Sequence, residues 1–211
     1  MENRNCIIRL SKYKNSLTRL KKLGFKRVFS TNIADASGTT SIQVRKDFSI
    51  FGIIGKKRGG YILDDLLKTL NKILGKDKEK QIVVAGIGKL GMALMEYGGF
   101  GLENIRIAAG FDIDPEKHRN SETIPIYPLT KMKGFIRENK IELGIITTNV
   151  ESAPQVYEIM LNAGVKGILN FAPLDLKKYD SCVVQNINIV TYLENLIYFV
   201  QLNEVENEKN L

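Results

Sequence analysis

The chain has 211 residues, 44% of them hydrophobic and 26% charged, a balance that fits one large or two modest globular domains. No apolar run approaches the roughly 18 residues needed to span a bilayer. The start, Met1-Glu2-Asn3-Arg4, lacks the apolar core of an export signal, so a soluble, cytoplasmic protein with no membrane partner is expected. The net charge of +8 is unevenly placed. Residues 1–80 hold 19 Lys and Arg against 7 Asp and Glu, whereas residues 81–211 hold 12 against 16. A basic half joined to an acidic half points to a polyanion met by the first half alone. Cys6 and Cys182 stand far apart and read as two free thiols, neither a disulfide framework nor a metal site.

In chain order, residues 4–23 carry apolar positions at Ile7, Ile8, Leu10, Leu17, Leu20 and Leu23 among Lys and Arg, the pattern of an amphipathic helix stopped at Gly24. Thr31–Ser37 reads as a short second helix closed by Gly38. Thr40-Ser41-Ile42-Gln43 has the form of a capping box, with the Thr40 hydroxyl taking the Gln43 N–H and the Gln43 side chain reaching back. A third helix then runs to about Phe51, and Gly52 and Gly55 break it. Lys56-Lys57-Arg58-Gly59-Gly60-Tyr61 is a cationic turn between extended segments. Leu63–Leu74 is helical, and the polar stretch Gly75–Lys80 is the expected domain boundary.

From Gln81 the texture changes. Ile82-Val83-Val84-Ala85 is a short apolar, β-branched run of the buried parallel-strand type. The expected succession is a helix from Leu90 to about Tyr97, a strand Ile105–Phe111, a helix Leu129–Asn139, a strand Leu143–Thr147, a helix Ala153–Ala163 and a strand Gly167–Asn170. This alternation predicts a parallel sheet with right-handed crossovers. Val190–Val200, rich in Leu, Ile, Tyr and Phe, closes the chain as a helix of about three turns.

Gly86-Ile87-Gly88-Lys89-Leu90-Gly91 is G-x-G-x-x-G, directly after a strand and opening a helix, which is the context a Rossmann dinucleotide site requires. The first glycine allows the tight turn, the second lets backbone approach a pyrophosphate, and the third lets helix and strand pack closely. The N–H groups at the helix start then face the phosphates. Asp112, 21 residues after Gly91, stands where a ribose-binding acid is expected and favours NAD(H) over its phosphorylated form. Lys117 and Arg119 lie close enough to leave a 2′-phosphate tolerable.

A dehydrogenase would need a proton donor or acceptor beside the nicotinamide. The sole histidine, His118, follows Asp112 and sits at the adenosine end. With a dinucleotide site and no catalytic constellation, the chain reads as a sensor and not an enzyme. In the basic half, three short helices with a capped third one have the order of a helix-turn-helix. Ser41, Gln43, Arg45 and Lys46 lie in the first turns of that helix and point to the major groove. Gln43 and Arg45 suit adenine and guanine edges, and Lys46 suits phosphate. Lys56, Lys57 and Arg58, with Gly60 and Tyr61, form a wing for the DNA backbone or a narrow minor groove.

These residues resemble a known family. Ser41-Ile42-Gln43-Val44-Arg45-Lys46-Asp47-Phe48-Ser49, Phe51-Gly52, Gly60-Tyr61, Gly86–Gly91, Tyr97 with Gly99-Phe100-Gly101, Phe111-Asp112-Ile113-Asp114-Pro115, and Gly164 through Gly167–Pro173 are similar, in order and spacing, to the signature of the Rex redox-sensing repressors. The resemblance implies an α/β Rossmann domain (81–189) behind an N-terminal winged helix (1–80), with a C-terminal helix (190–211) exchanged in a homodimer. It implies an inverted-repeat double-stranded operator, release from DNA by NADH, and DNA binding compatible with NAD⁺. Tyr97 and Phe100 would lie near the nicotinamide, Asn170, Phe171 and Ala172 would line the dimer-facing side of the pocket, and Thr147 and Thr148 belong with the cofactor site.

The chain departs from the family pattern at several points. An Arg on the first helix and an Asp near the C-terminus, which in the family link the redox site to the DNA-binding domain, correspond to Asn15 and Asn188. Asn149 stands where proline is usual, and the wing loses a glycine. A paralogue with a blunted NADH response is therefore an alternative. An NAD-dependent oxidoreductase with a helical extension, and a module binding another nucleotide such as a CoA derivative, are the rivals from other classes.

Overall fold

A computed structural model describes residues 4–120, 123–177 and 180–209. The readings that touch residues 1–3, 210 and 211 lie outside these. The chain divides into two compact units, Met1–Glu79 and Lys80–Leu211.

The first unit is built from α1 (Arg4–Lys22), β1 (Arg27–Val28), α2 (Ser30–Ser37), α3 (Ser41–Ile50), β2 (Tyr61–Ile62) and α4 (Leu63–Ile73). The face of α1 that reaches the core is Cys6, Leu10, Tyr13 and Leu17, positions three or four apart that share one side of a helix. Of the apolar positions expected there, Ile7, Ile8 and Leu23 are exposed: Ile7 and Ile8 fall a quarter of a turn or more from the centre of that stripe, and Leu23 follows the end of α1. Leu10, Tyr13 and Leu17 pack with Val28, Ile33, Val44, Phe48, Leu63, Leu66 and Leu70 into one core. The two short strands pair antiparallel, Val28 opposite Tyr61. The cationic turn between α3 and β2 is closed by a bridge from Lys56 to Gly60, with Arg58 at its tip in the left-handed region. A Cβ on Gly60 would stand 2.4 Å from the Val28 carbonyl oxygen, so the wing can lie against β1 only with glycine at that position.

The second unit is a six-stranded sheet ordered β5-β4-β3-β6-β7-β8, every pair parallel. Its strands are β3 (Lys80–Ala85), β4 (Ile105–Asp112), β5 (Ile126–Pro128), β6 (Leu143–Ile146), β7 (Gly167–Asn170) and β8 (Val183–Asn186). Counted from β3 this is the order 3-2-1-4-5-6 of a dinucleotide-binding sheet. Helix α5 (Lys89–Met95) follows β3, α6 (Met132–Glu138) follows β5, and α7 (Ala153–Ala163) follows β6. Alternate residues of β3 feed two cores: Val83 and Ala85 join the layer of α6 and α7, and Ile82 and Val84 join that of Met95 and Ile87. The alternation expected from sequence is present, but β5 and β8 were not anticipated. Both are edge strands of three or four residues, and β8 faces solvent at Val183 and the core at Val184.

The last helix, α8 (Ile189–Lys209), is 21 residues long, nearly twice the expected three turns. All its described side chains are exposed, including Leu193 at 53%, Leu196 at 59% and Phe199 at 57%. No helix among the described residues is long and apolar enough to cross a membrane.

Candidate functional site

The strand order reverses between β3 and β6, and ligands of open parallel sheets bind in the crevice outside the strand ends at such a switch point. Here the crevice is a cleft of about 240 Å³ whose lining includes Gly86, Gly88, Asp112, Lys117, Thr147, Thr148, Asn149, Ser152 and Gln155. Gly86 ends β3 at φ +90°, and a Cβ there would lie 2.7 Å from the Thr148 backbone nitrogen. A Cβ on Gly91 would lie 2.2 Å from the Gly86 oxygen, whereas one on Gly88 would meet nothing within 4 Å. The outer two glycines are thus required by the protein's own packing, and the middle one leaves open space beside the start of α5. Gly88 is itself the N-cap of α5 and has no side chain to cap that start.

Asp112, at the end of β4, is buried. It accepts from the Ile87 N–H at 2.6 Å, the Asp114 N–H at 2.9 Å and the Lys117 ammonium at 3.2 Å. Burial works against its charge, but the two backbone bonds and Lys117 outweigh it and hold the carboxyl below its ordinary value. A carboxylate offers about four acceptor positions, so about one remains for a ribose hydroxyl. The Thr147 hydroxyl donates to the carbonyls of Ala85 and Gly86 at 3.1 and 2.7 Å and so fixes the glycine turn. The Thr148 hydroxyl oxygen is buried without a hydrogen-bond partner among the described residues. Buried polar groups normally have one, and this atom borders the cleft. The open position at Gly88, the residual capacity of Asp112 and the orphaned Thr148 hydroxyl together fit a phosphate-bearing nucleotide.

Ile87 is buried in the core against Gly110, while Lys89 and Leu90 are exposed on α5. Tyr97 is exposed and meets Phe100 edge to face, with centroids 5.2 Å apart. Asn170 is fully buried. Its amide nitrogen donates to the Leu174 carbonyl at 2.8 Å and to Asn186 Oδ1 at 2.9 Å, and its oxygen accepts from the Ala172 N–H at 3.0 Å. It ties β7 to β8 and to the loop after it. Tyr97, Phe100, Asn170, Phe171 and Ala172 are not among the residues lining the cleft. His118 Nε2 lies 2.9 Å from the Asp112 carbonyl oxygen.

Two of the departures from the family pattern bond to backbone at helix approaches, Asn149 in the turn before α7 and Asn188 as the cap of α8. Asn149 Oδ1 accepts the Ser152 N–H at 3.0 Å just before α7. Asn188 Oδ1 accepts the N–H of Val190 at 3.0 Å and of Thr191 at 3.4 Å, opening α8. Asn15 is exposed on α1.

In the first unit, Thr40 caps α3 as expected, accepting from the Gln43 N–H. The reciprocal half of the capping box is absent. Gln43 Nε2 donates to Asp47 Oδ1 at 2.8 Å, a charge-assisted bond one turn on that draws the side chain away from the Thr40 N–H it would otherwise accept from. Asp47 is fully buried. Arg9 of α1 grips both its oxygens at 2.7 Å, and the Tyr13 hydroxyl donates at 2.8 Å. Burial opposes its ionisation, yet the bonds from Arg9, Tyr13 and Gln43 hold its pKa at about 2. Burial and the neighbouring carboxylate push the Tyr13 phenol up to about 12, and burial followed by Asp47 raises the Cys6 thiol. The sequence reading gave Asp47 no role. The available signal was its place in the inward stripe Val44-Asp47-Phe48, where an unpaired acid would be costly.

Arg45 and Lys46 are exposed on the outer face of α3, and Arg45 donates to the Ser30 hydroxyl at 2.9 Å. Ser41 and Gly60 are partly exposed, and Lys56, Lys57 and Arg58 are exposed on the wing. Tyr61 turns inward, edge to face on Phe48 at 5.3 Å, and supports the wing from beneath. Among the described residues no group of three His, Cys, Asp or Glu could hold a metal ion.

Fold and site define a class: a DNA-binding regulator that joins a basic winged helix to a nucleotide-binding Rossmann domain. Residues 4–49 match the family model described as the putative DNA-binding protein N-terminus, and residues 77–174 match the CoA binding domain model. The chain is 38% identical over 208 residues to the redox-sensing transcriptional repressor Rex of Oenococcus oeni, covering 96% of this chain and 93% of that protein. It is 38% identical over 194 residues to the protein of the same name from Listeria welshimeri, covering 92% and 90%. Among solved structures it matches RSP, a Rex-family repressor, in complex with β-NAD⁺ and operator DNA, with a TM-score of 0.90, 30% identity and coverage of 99% and 96%. It also matches RSP in complex with β-NADH, with a TM-score of 0.86, 30% identity and coverage of 99% and 98%. The chain belongs to the Rex family of redox-sensing transcriptional repressors. These relatives are named as repressors and not as oxidoreductases.

Proposed function

We propose that the chain is a cytoplasmic, homodimeric repressor that binds an inverted-repeat operator and whose grip on DNA follows the ratio of NADH to NAD⁺. The observation that carries this reading is the glycine turn left open at Gly88 beside Asp112 and the unpartnered Thr148 hydroxyl, in a chain whose other unit carries an exposed cationic helix face and wing. The pyrophosphate would lie against the backbone at Gly88, and Asp112 would accept from an adenosine ribose hydroxyl. Thr148 would gain the partner it lacks. The bound cofactor supplies a nicotinamide ring that carries positive charge when oxidised and none when reduced. A ligand switches the protein only through different affinities for its two states.

Contacts by Arg45 and Lys46 on α3, and by Lys56, Lys57 and Arg58 on the wing, would hold the duplex. The apolar, solvent-facing α8 supports a dimer in which this helix packs on a second copy, since burying its Leu, Ile and Phe side chains would stabilise the pair. Titrating NADH, then NAD⁺, into the protein–operator complex tests the switch. The reading expects release by NADH at concentrations where NAD⁺ leaves the complex intact. A second reading, a paralogue with a blunted response, is favoured by Asn188. Its side chain caps α8, and neither it nor Asn15 carries charge. Binding of NADH without release would establish that reading. A thermal-shift comparison of NADH, NADPH and a CoA derivative separates the nucleotide classes.

A further inference from the structure

We propose that Ile42 reads a thymine methyl group in the major groove of the operator. The proposal rests on the DNA-binding reading above and adds a residue that sets its sequence preference.

Helix α3 divides into faces. Val44, Asp47 and Phe48 point into the core. Ile42, Arg45, Lys46, Ser49 and Ile50 are exposed at spacings of three and four, which is one continuous stripe of a helix. Two of its members are cations, as a surface for DNA requires. The residue that leads the stripe, in the first turn, is an isoleucine 70% exposed to solvent. A single exposed aliphatic residue is ordinary on a protein surface. The neighbours of this one make it informative.

Residues in the first turns of a groove-entering helix meet base edges. Gln43, the polar residue beside Ile42, is drawn aside by its bond to Asp47, and Asp47 is in turn fixed by Arg9 and Tyr13. Ile42 is thereby left at the leading edge of the cationic face. Isoleucine has no donor or acceptor, so it cannot match the hydrogen-bonding edges of adenine, guanine or cytosine. The C5 methyl of thymine is the one methyl group that the four bases present in the major groove. Its β-branch also keeps isoleucine stiff on a helix, so little freedom is lost on contact.

The test uses the full-length protein and a palindromic duplex that the protein itself enriches from a random-sequence pool. Each thymine of a half-site is replaced in turn by deoxyuridine, which removes the methyl and keeps every hydrogen bond. At one position per half-site the wild-type affinity should fall about fourfold, the value of one buried methyl group. Ile42→Ala should bind the thymine and deoxyuridine duplexes alike at that position, while Ile42→Val keeps most of the preference. Methyl sensitivity nowhere in the wild-type series overturns the proposal, as does an Ile42→Ala variant that retains the full thymine preference. If the wild type fails to bind any unmodified duplex, the DNA-binding reading falls first and this proposal with it.

Discussion

Replacing Asp47 with alanine should cost the first unit on the order of 3 kcal/mol. The carboxylate is fully buried and receives both arms of Arg9, the Tyr13 hydroxyl and the Gln43 amide. Removing one partner of a buried ion pair leaves the other uncompensated, a loss of roughly 3–5 kcal/mol. The lower end applies because the Arg9 side chain keeps 27% of its surface in water. The depressed pKa of Asp47 gives a second figure. Holding the carboxyl at about 2 rather than 3.8 corresponds to about 2 kcal/mol. Since the folded pKa lies below the unfolded one, this stabilisation is complete above pH 3.8 and is lost as pH falls through about 2. The assay is calorimetric unfolding of wild type and Asp47→Ala, with tyrosine near-ultraviolet dichroism to follow the Tyr13-containing unit. The gap between the proteins should be widest near pH 7 and should shrink between pH 4 and pH 2. A variant within about 0.5 kcal/mol of wild type at pH 7, or a gap insensitive to that acid range, would refute the claim that Asp47 organises α1 against α3.

Other substitutions separate the two units' tasks. Gly88→Glu should abolish NADH binding by calorimetry while leaving the melting curve intact, since its Cβ meets nothing within 4 Å; normal NADH affinity would remove the cleft from the cofactor site. Gly91→Ala, whose Cβ would lie 2.2 Å from the Gly86 oxygen, should instead lower the melting temperature, and an unchanged melt would contradict the packing described. Arg45→Ala should weaken operator binding by about 1–3 kcal/mol if it makes a bidentate base contact, and unchanged affinity would exclude it from the reading face. The operator affinity of the wild type should fall steeply with salt; a flat profile would count against the wing. Leu196→Glu with Phe199→Glu on α8 should shift the chain to a monomer in analytical ultracentrifugation, and a retained dimer would place the interface elsewhere.

Much of the architecture was legible because it rests on local rules. The β-branched run at Ile82–Ala85, the glycine turn after it and the acid at Asp112 are fixed by spacing along one strand–turn–helix, so they appear in the chain as they appear in space. The cap at Thr40 and the cationic turn at Lys56–Arg58 are local in the same way. What tertiary structure decided involves partners far apart in sequence. Asp47 and Arg9 are separated by 38 residues, and their meeting redirects Gln43 from its own helix start to the buried carboxylate. The edge strands β5 and β8 are too short to announce themselves and exist because a neighbour supplies their hydrogen bonds. Asn170 and Asn186, 16 residues apart, meet through the Asn170 amide, which also reaches the Leu174 carbonyl. A residue's neighbours in sequence set its backbone, but a buried polar side chain takes whichever partner the packed fold delivers, because leaving it unpaired costs more than any local preference returns.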